Sequence, residues 1–219
     1  MNRRRHPLWI ATLVVSGLCC TRPGQLGRTE TAHVLEVIDG DTIRLTDGRE
    51  VRYAAVDTPE RGDPFYEGAK ALNASFVVGK KVTLHYGRRR TDRYGRTLAV
   101  VTQNGIAVGD SLVTAGLAIV YGFSDNAELL PALIPLQRRA IDQKIGLWSL
   151  PRRDDEDHYV ASMSGHRFHR PDCQWVATIK LQQLREYRSK IDAYYDGLSP
   201  CNSCRPDTVK STPPPADPT

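Results

Sequence analysis

From His33 to Thr102 the chain is written as short β-type runs broken by turn-forming dipeptides, and this leaves few folds open. His33–Ile38 and Thr42–Thr46 are joined by Asp39-Gly40-Asp41, and Asp47-Gly48 leads into a third run, Glu50–Val56. Lys81–Tyr86 and Leu98–Thr102 add two more. Pro64–Val78 changes period: Phe65, Ala69, Leu72 and Phe76 recur at helical spacing, and Pro64 suits a first turn. Further helices are expected over Val108–Ala115 and between Leu129 and Lys144, where Pro131 and Pro135 blur the start. Five strands and about three helices predict a mainly β (α+β) domain, a small closed barrel such as an OB-fold, over residues 32–149.

The chain's ends read differently. Arg3, Arg4 and Arg5 precede the apolar run Pro7–Leu18 and then small residues, the pattern of an export signal over residues 1–20. Gly17-Leu18-Cys19-Cys20 resembles a lipoprotein cleavage box, so the segment is a signal peptide or an envelope anchor, and membrane association is expected through it alone. Pro151–Asp157 lies in a charged linker, 150–158, before a compact unit at 159–206. Residues 207–219, with four prolines and no aromatics, are expected to be a disordered tail.

The three arginines of the signal carry most of the chain's net charge of +5, so the remainder is close to neutral. Charge distribution says more than the sum. Lys80–Arg96 holds seven basic residues against one acid, Asp92, with Tyr86 and Tyr94 among them. That composition suits a phosphate track with aromatic surfaces for bases, or a solvated hairpin.

Asp41 closes one hairpin turn, Asp57 ends the strand that follows the next turn, and Glu60 follows Pro59. Two carboxylates with a backbone carbonyl and waters make a hard oxygen site for Ca²⁺ or Mg²⁺. Arg52, on a strand face with Ala54 and Val56, needs an anionic partner: a phosphate, or a carboxylate in a structural pair. Strict alternation would put Arg52 and Asp57 on opposite faces, so their convergence requires the strand to bend or end first.

Five separated stretches, VIDGDTIRL (Val37–Leu45), RYAAVDTPE (Arg52–Glu60), RTDRYGRTLA (Arg90–Ala99), LVTAGLA (Leu112–Ala118) and GLWS (Gly146–Ser149), resemble the thermonuclease, or staphylococcal nuclease-like, family in order and spacing. The resemblance implies an OB-fold cleaving DNA and RNA, single strands preferred, with one Ca²⁺. It implies Asp41, Asp57 and the Thr58 carbonyl as calcium ligands, Glu60 as holder or base of the attacking water, and Arg52 and Arg96 as catalytic grips on the phosphate. Arg93 and Tyr94 fall where the nucleic acid would lie. No protein partner is implied. A non-catalytic nucleic-acid binder built on the same barrel is the alternative, though it has no need of Glu60 beside Asp57.

Cys173, Cys201 and Cys204 remain, with FHRPDCQW and SPCNSCRP giving His169-x₃-Cys173 and Cys201-x₂-Cys204. One imidazole and three thiols complete a tetrahedral structural Zn²⁺ site; a Cys201–Cys204 disulfide is the alternative, and His166 the second candidate imidazole. The unit resembles the small zinc-binding module of the adaptive-response methyl-sensing DNA repair protein, in which a cysteine stands at the position of His169.

Overall fold

The structure, a computed structural model, describes residues 27–151 and 154–208; the expected export segment and the tail beyond Thr208 lie outside them. Five strands close a barrel: β1 (Thr29–Val37), β2 (Thr42–Leu45), β3 (Glu50–Tyr53), β5 (Lys81–His85) and β6 (Thr97–Gln103). Antiparallel pairs run β3-β2-β1-β5-β6, and a parallel pairing of β3 with β6, Arg52 opposite Leu98, seals the ring. This closed five-stranded mixed barrel is consistent with an OB-fold. Inward residues alternate along each strand, so Val34, Ile43, Leu45, Val51, Tyr53, Val82, Leu84, Ala99 and Val101 are buried together.

The third run breaks where expectation had it continue. β3 stops at Tyr53, Ala55 takes a left-handed backbone (φ 63°), and Val56–Asp57 resumes as β4 against β8 (Ile119–Val120). Arg52 therefore does not share a face with Val56. The Ala54 amide donates to the Ala99 carbonyl and the Tyr121 amide to the Ala55 carbonyl, so both sides of the break are tied down.

Helix α1 (Tyr66–Val77) starts later than its sequence suggests, because Phe65 is itself left-handed (φ 68°). Its buried positions are Tyr66, Ala69, Asn73 and Val77, one step round from the expected apolar stripe. Asn73 tolerates full burial because it accepts from the Tyr53 hydroxyl (2.6 Å) and donates to the Asp39 carbonyl (3.1 Å). β7 (Ile106–Ala107) leads into α2 (Val108–Thr114). In α3 (Leu130–Asp142) Pro131 sits in the first turn, where its missing N–H costs nothing, and only Pro135 lies inside the helix.

The C-terminal unit has a sheet ordered β11-β9-β10-β12, from β9 (Tyr159–Ser162), β10 (Arg167–His169), β11 (Leu184–Tyr187) and β12 (Ser199–Pro200), plus a short α4 (Lys190–Tyr195). Its apolar cluster of Tyr159, Phe168, Tyr187, Ala193 and Tyr194 is continuous with Ala140 of α3 and Trp148, so it packs on the barrel's last helix. Charges fasten the connector: buried Arg170 pairs with Asp155 (2.6 Å) and Glu156 (2.8 Å), and buried Lys190 with Asp155 (2.9 Å).

Gln137 of α3, fully buried, bridges the two units. Its Oε1 accepts from the Val120 amide (2.7 Å), and its Nε2 donates to the Tyr194 carbonyl. Gln137→Leu would strand both backbone groups, at about 1–3 kcal/mol each. Urea unfolding of the variant should show that loss, and a change below about 0.5 kcal/mol would mean the bridge carries no weight.

Candidate active site

The Asp-Gly-Asp turn between β1 and β2 points Asp41 into the protein, where its side chain is 5% exposed. Asp41 Oδ2 accepts from the Thr58 amide (2.8 Å), the Thr58 hydroxyl (3.0 Å) and Arg52 Nη1 (2.7 Å). Gly40 makes this approach possible. A Cβ there would lie 2.6 Å from Thr58 Oγ1 and 2.8 Å from the Ala69 Cβ.

Arg52 faces outward from the barrel interior, yet its side chain is only 12% exposed. The break at Ala55 folds the chain back over it. Arg52 Nη1 donates to the Val56 carbonyl (2.9 Å) and Nη2 to Asp57 Oδ1 (2.5 Å). The strand end that convergence required is thus present, and one guanidinium spans Asp41 and Asp57.

Burial pushes the Asp41 carboxyl up to about 7, with Asp57 and Asp39 adding to the rise and Arg52 opposing it. Enclosure also raises Asp57, again against Arg52, with Glu60 and Asp39 reinforcing. Arg52 itself stays charged: burial works against the cation, and the surrounding carboxylates outweigh it. Four carboxylates, Asp41, Asp57, Asp39 and Glu60, act on the one Arg52 guanidinium.

Asp41, Arg52, Asp57, Thr58, Glu60, Arg93, Tyr94 and Arg96 all line one cleft of about 450 Å³. Glu60 is exposed at its edge. In the same lining, Arg96 is held by Asp92, which accepts from Arg96 Nε (2.7 Å), the Arg96 amide (3.0 Å) and the Tyr94 amide (2.9 Å). Against the pull of its partial burial, these bonds keep the Asp92 carboxyl below the usual range. Tyr94 is 68% exposed, with the Arg93 and Arg96 guanidinium groups over its ring at 4.7 and 5.6 Å. Tyr86, expected among the aromatic surfaces, is not one of them: it is buried, and its hydroxyl donates to Glu30 (2.6 Å).

A profile for the staphylococcal nuclease homologue family matches residues 50–150. Over 120 residues the chain is 39% identical to an "Uncharacterized endonuclease" of Escherichia coli O157:H7, covering 53% of this chain and 75% of that protein. It is 33% identical over 129 residues to "Thermonuclease" of Staphylococcus hyicus, covering 55% and 76%. The chain belongs to the staphylococcal nuclease homologue family. It is also 34% identical over 123 residues to "Endonuclease YncB" of Bacillus subtilis, covering 51% of this chain and 58% of that one.

Beyond the residues the family resemblance supplies, the structure adds Asp39, whose Oδ1 caps the Asp41 amide (3.0 Å), and Asp92, which aims Arg96. Both stand in the quoted motifs, where Asp39 reads as an ordinary turn residue and Asp92 as a lone acid in a basic run.

The C-terminal donors also converge. His169, Cys173, Cys201 and Cys204 each offer one atom, and the four atoms lie within 4.8 Å of one another. A tetrahedral ion with bonds of about 2.3 Å to sulfur needs donors roughly 3.8 Å apart, so the set is of the right size. The Arg170 amide donates to Cys204 Sγ and the Ser203 amide to Cys201 Sγ, both at 3.4 Å. All three thiols are free rather than disulfide-bonded. His166 packs instead beside Gly122, where an added Cβ would meet its ring at 3.2 Å.

Gly40→Ala should displace Thr58 from Asp41 and cost about 1–3 kcal/mol, as overpacking does. A thermal midpoint unchanged from wild type would show that the turn yields without strain.

Proposed function

We propose that this protein is an exported, calcium-dependent nuclease that hydrolyses phosphodiester bonds of DNA and RNA, favouring single strands. One observation carries the reading. Asp41, Arg52, Asp57, Glu60 and Arg96, drawn from separate segments of the barrel, line a single cleft. The names of the E. coli and S. hyicus relatives support a nucleic-acid substrate and a hydrolytic reaction.

The donors fit calcium in kind: Asp41, Asp57 and the Thr58 carbonyl are hard oxygens, with the Asp39 and Glu60 carboxylates beside them. A bound calcium would supply Lewis acidity and charge neutralisation at the phosphate. The side chains do the rest. Glu60, exposed at the cleft edge, accepts the proton of an attacking water as its oxygen bonds to phosphorus. Arg52 and Arg96 donate to the non-bridging oxygens, whose charge grows as the five-coordinate transition state forms. The bond to the leaving oxygen then breaks, and that oxygen takes up a proton. Asp92 keeps Arg96 directed at this point through its Nε, leaving the Nη donors for phosphate.

For the C-terminal unit, we propose a structural zinc held by His169, Cys173, Cys201 and Cys204, which fit in donor type and spread. So small a unit gains folding stability from such an ion. The N-terminal segment, by its sequence, delivers the protein outside the cytoplasm as a secreted, periplasmic or envelope-anchored form.

Heat-denatured DNA and RNA should be degraded with calcium and left intact with chelator; no calcium-dependent loss of either would defeat the enzymatic reading. Glu60→Gln should lower kcat by about 10²–10⁴, the range for a general base. Arg96→Ala should cost at least as much, since arginines at transferring phosphoryl groups are worth about 10³–10⁵ elsewhere. Near wild-type turnover in Arg96→Ala would remove that residue from catalysis. Protein purified without chelator should carry one zinc per chain, whereas a mass lighter by two protons with no zinc would indicate a disulfide.

A further inference from the structure

A second cavity, of about 660 Å³, lies at the seam between the barrel and the C-terminal unit. It meets the cleft at the reacting groups, since Asp57, Thr58, Pro59 and Glu60 line both. Beyond them its lining comes from two sources: Asp63, Pro64 and Leu147 on the barrel side of the chain, and Tyr194, Pro200 and Arg205 from the C-terminal unit. A strand cut internally beside Glu60 continues on both sides of the reacting phosphate. The cleft with Arg93, Tyr94 and Arg96 accounts for one side only.

Two cations line this groove. Lys190 is buried, and its charge is committed to Asp155 (2.9 Å). Arg205 is exposed, and its guanidinium has no partner among the described residues. Its backbone is left-handed (φ 45°), a costly conformation for a non-glycine residue that persists only where the surroundings hold it. Here they do: the Arg205 amide donates to the Cys201 carbonyl (2.8 Å), and its own carbonyl accepts from Arg170 Nη2 (3.3 Å) and from the Thr208 amide (3.1 Å) and hydroxyl (2.9 Å). A free guanidinium on a pinned backbone, in a groove that opens from a phosphate-cleaving site, is matched by a further phosphate. Asp63 and Asp207 line the same groove, so it is no basic track and suits one phosphate, at Arg205.

We propose, resting on the nucleic-acid-cleaving reading above, that the bound single strand passes from the cleft beyond Glu60 into this seam groove, where Arg205 of the Cys/His unit binds a phosphate next along from the reacting one. Arg205 directly follows Cys204, so the turn that gathers two of the four Cys/His donors also sets where this guanidinium starts. The unit thus lengthens the barrel's binding site and takes no part in the bond-breaking step. Long strands gain an affinity from it that a strand filling the cleft alone does not.

The test is fluorescence anisotropy, in chelator so that strands stay intact, with labelled single-stranded DNA of about 4 to 16 nucleotides, the span of sites on barrels of this kind. A dinucleotide, whose single phosphate takes the reacting position, is read by its displacement of a labelled strand. Arg205→Ala should raise Kd for the longer strands about tenfold, as loss of a charged hydrogen bond does, and change dinucleotide binding less than about twofold. On the longer strands the slope of log K against log salt should fall by about 0.7, the share of one phosphate contact. Arg205→Lys should recover part of the loss, Arg205→Glu should deepen it, and thermal midpoints check folding. If Arg205→Ala does not fold, Arg205→Gln carries the same comparison. Equal losses on dinucleotide and long strands, a loss with an unchanged salt slope, or no loss at all would each overturn the proposal. Wild type that binds with this length dependence yet cuts nothing when calcium is restored would defeat the nuclease reading and leave the groove standing.

Discussion

The Arg52 guanidinium, bridging Asp41 and Asp57, is the contact on which the cleft depends. It joins a turn between two barrel strands to a segment beyond a third, and it does so in a largely enclosed position. Removing one partner of such a pair leaves uncompensated charge, at a typical cost of about 3–5 kcal/mol. The geometry needs a non-glycine residue in left-handed backbone at Ala55, a conformation worth of order 1–3 kcal/mol of strain. Strain at that point persists because hydrogen bonds to Ala99 and Tyr121 and the β4–β8 pairing fix the chain on both sides. Asp41, Asp57 and Thr58 are thereby held together beside the Arg52 guanidinium.

Much of this is legible in the sequence, for physical reasons. The Asp-Gly turns and two-residue alternation mark the five barrel strands, and the helical period of Leu72 and Phe76 marks α1 to within a few residues. The break at Ala55 is not legible, since alanine gives no signal of positive φ. Yet the mismatch between strict alternation and a shared site for Arg52 and Asp57 shows that a bend is needed. Tyr86 misleads because composition cannot tell a tyrosine stacked on solvent from one whose hydroxyl is satisfied by Glu30 inside. Asn73, Asp92 and Gln137 are likewise hidden, as their roles exist only once distant segments meet.

The C-terminal unit illustrates the same limit more sharply. Its four donors can be paired from spacing alone, and the structure gathers them. That Arg167 and Asn202 would meet Tyr121 follows from nothing local: the contact depends on how α3, through Gln137 and Arg138, seats α4 and the small sheet beside the barrel. Groups of this unit also touch the wall of the cleft, Arg167 at the Gly122 carbonyl and Asn202 at the Tyr121 hydroxyl.

The most direct test of the account is a double-mutant cycle in which a defined single-stranded oligonucleotide is cleaved by wild type, Arg52→Ala, Glu60→Gln and the double variant. If the cleft works as one assembly, the double variant should be little worse than the worse single variant, since groups that act as a unit are strongly non-additive. Losses that multiply independently, or turnover near wild type in either single variant, would contradict it.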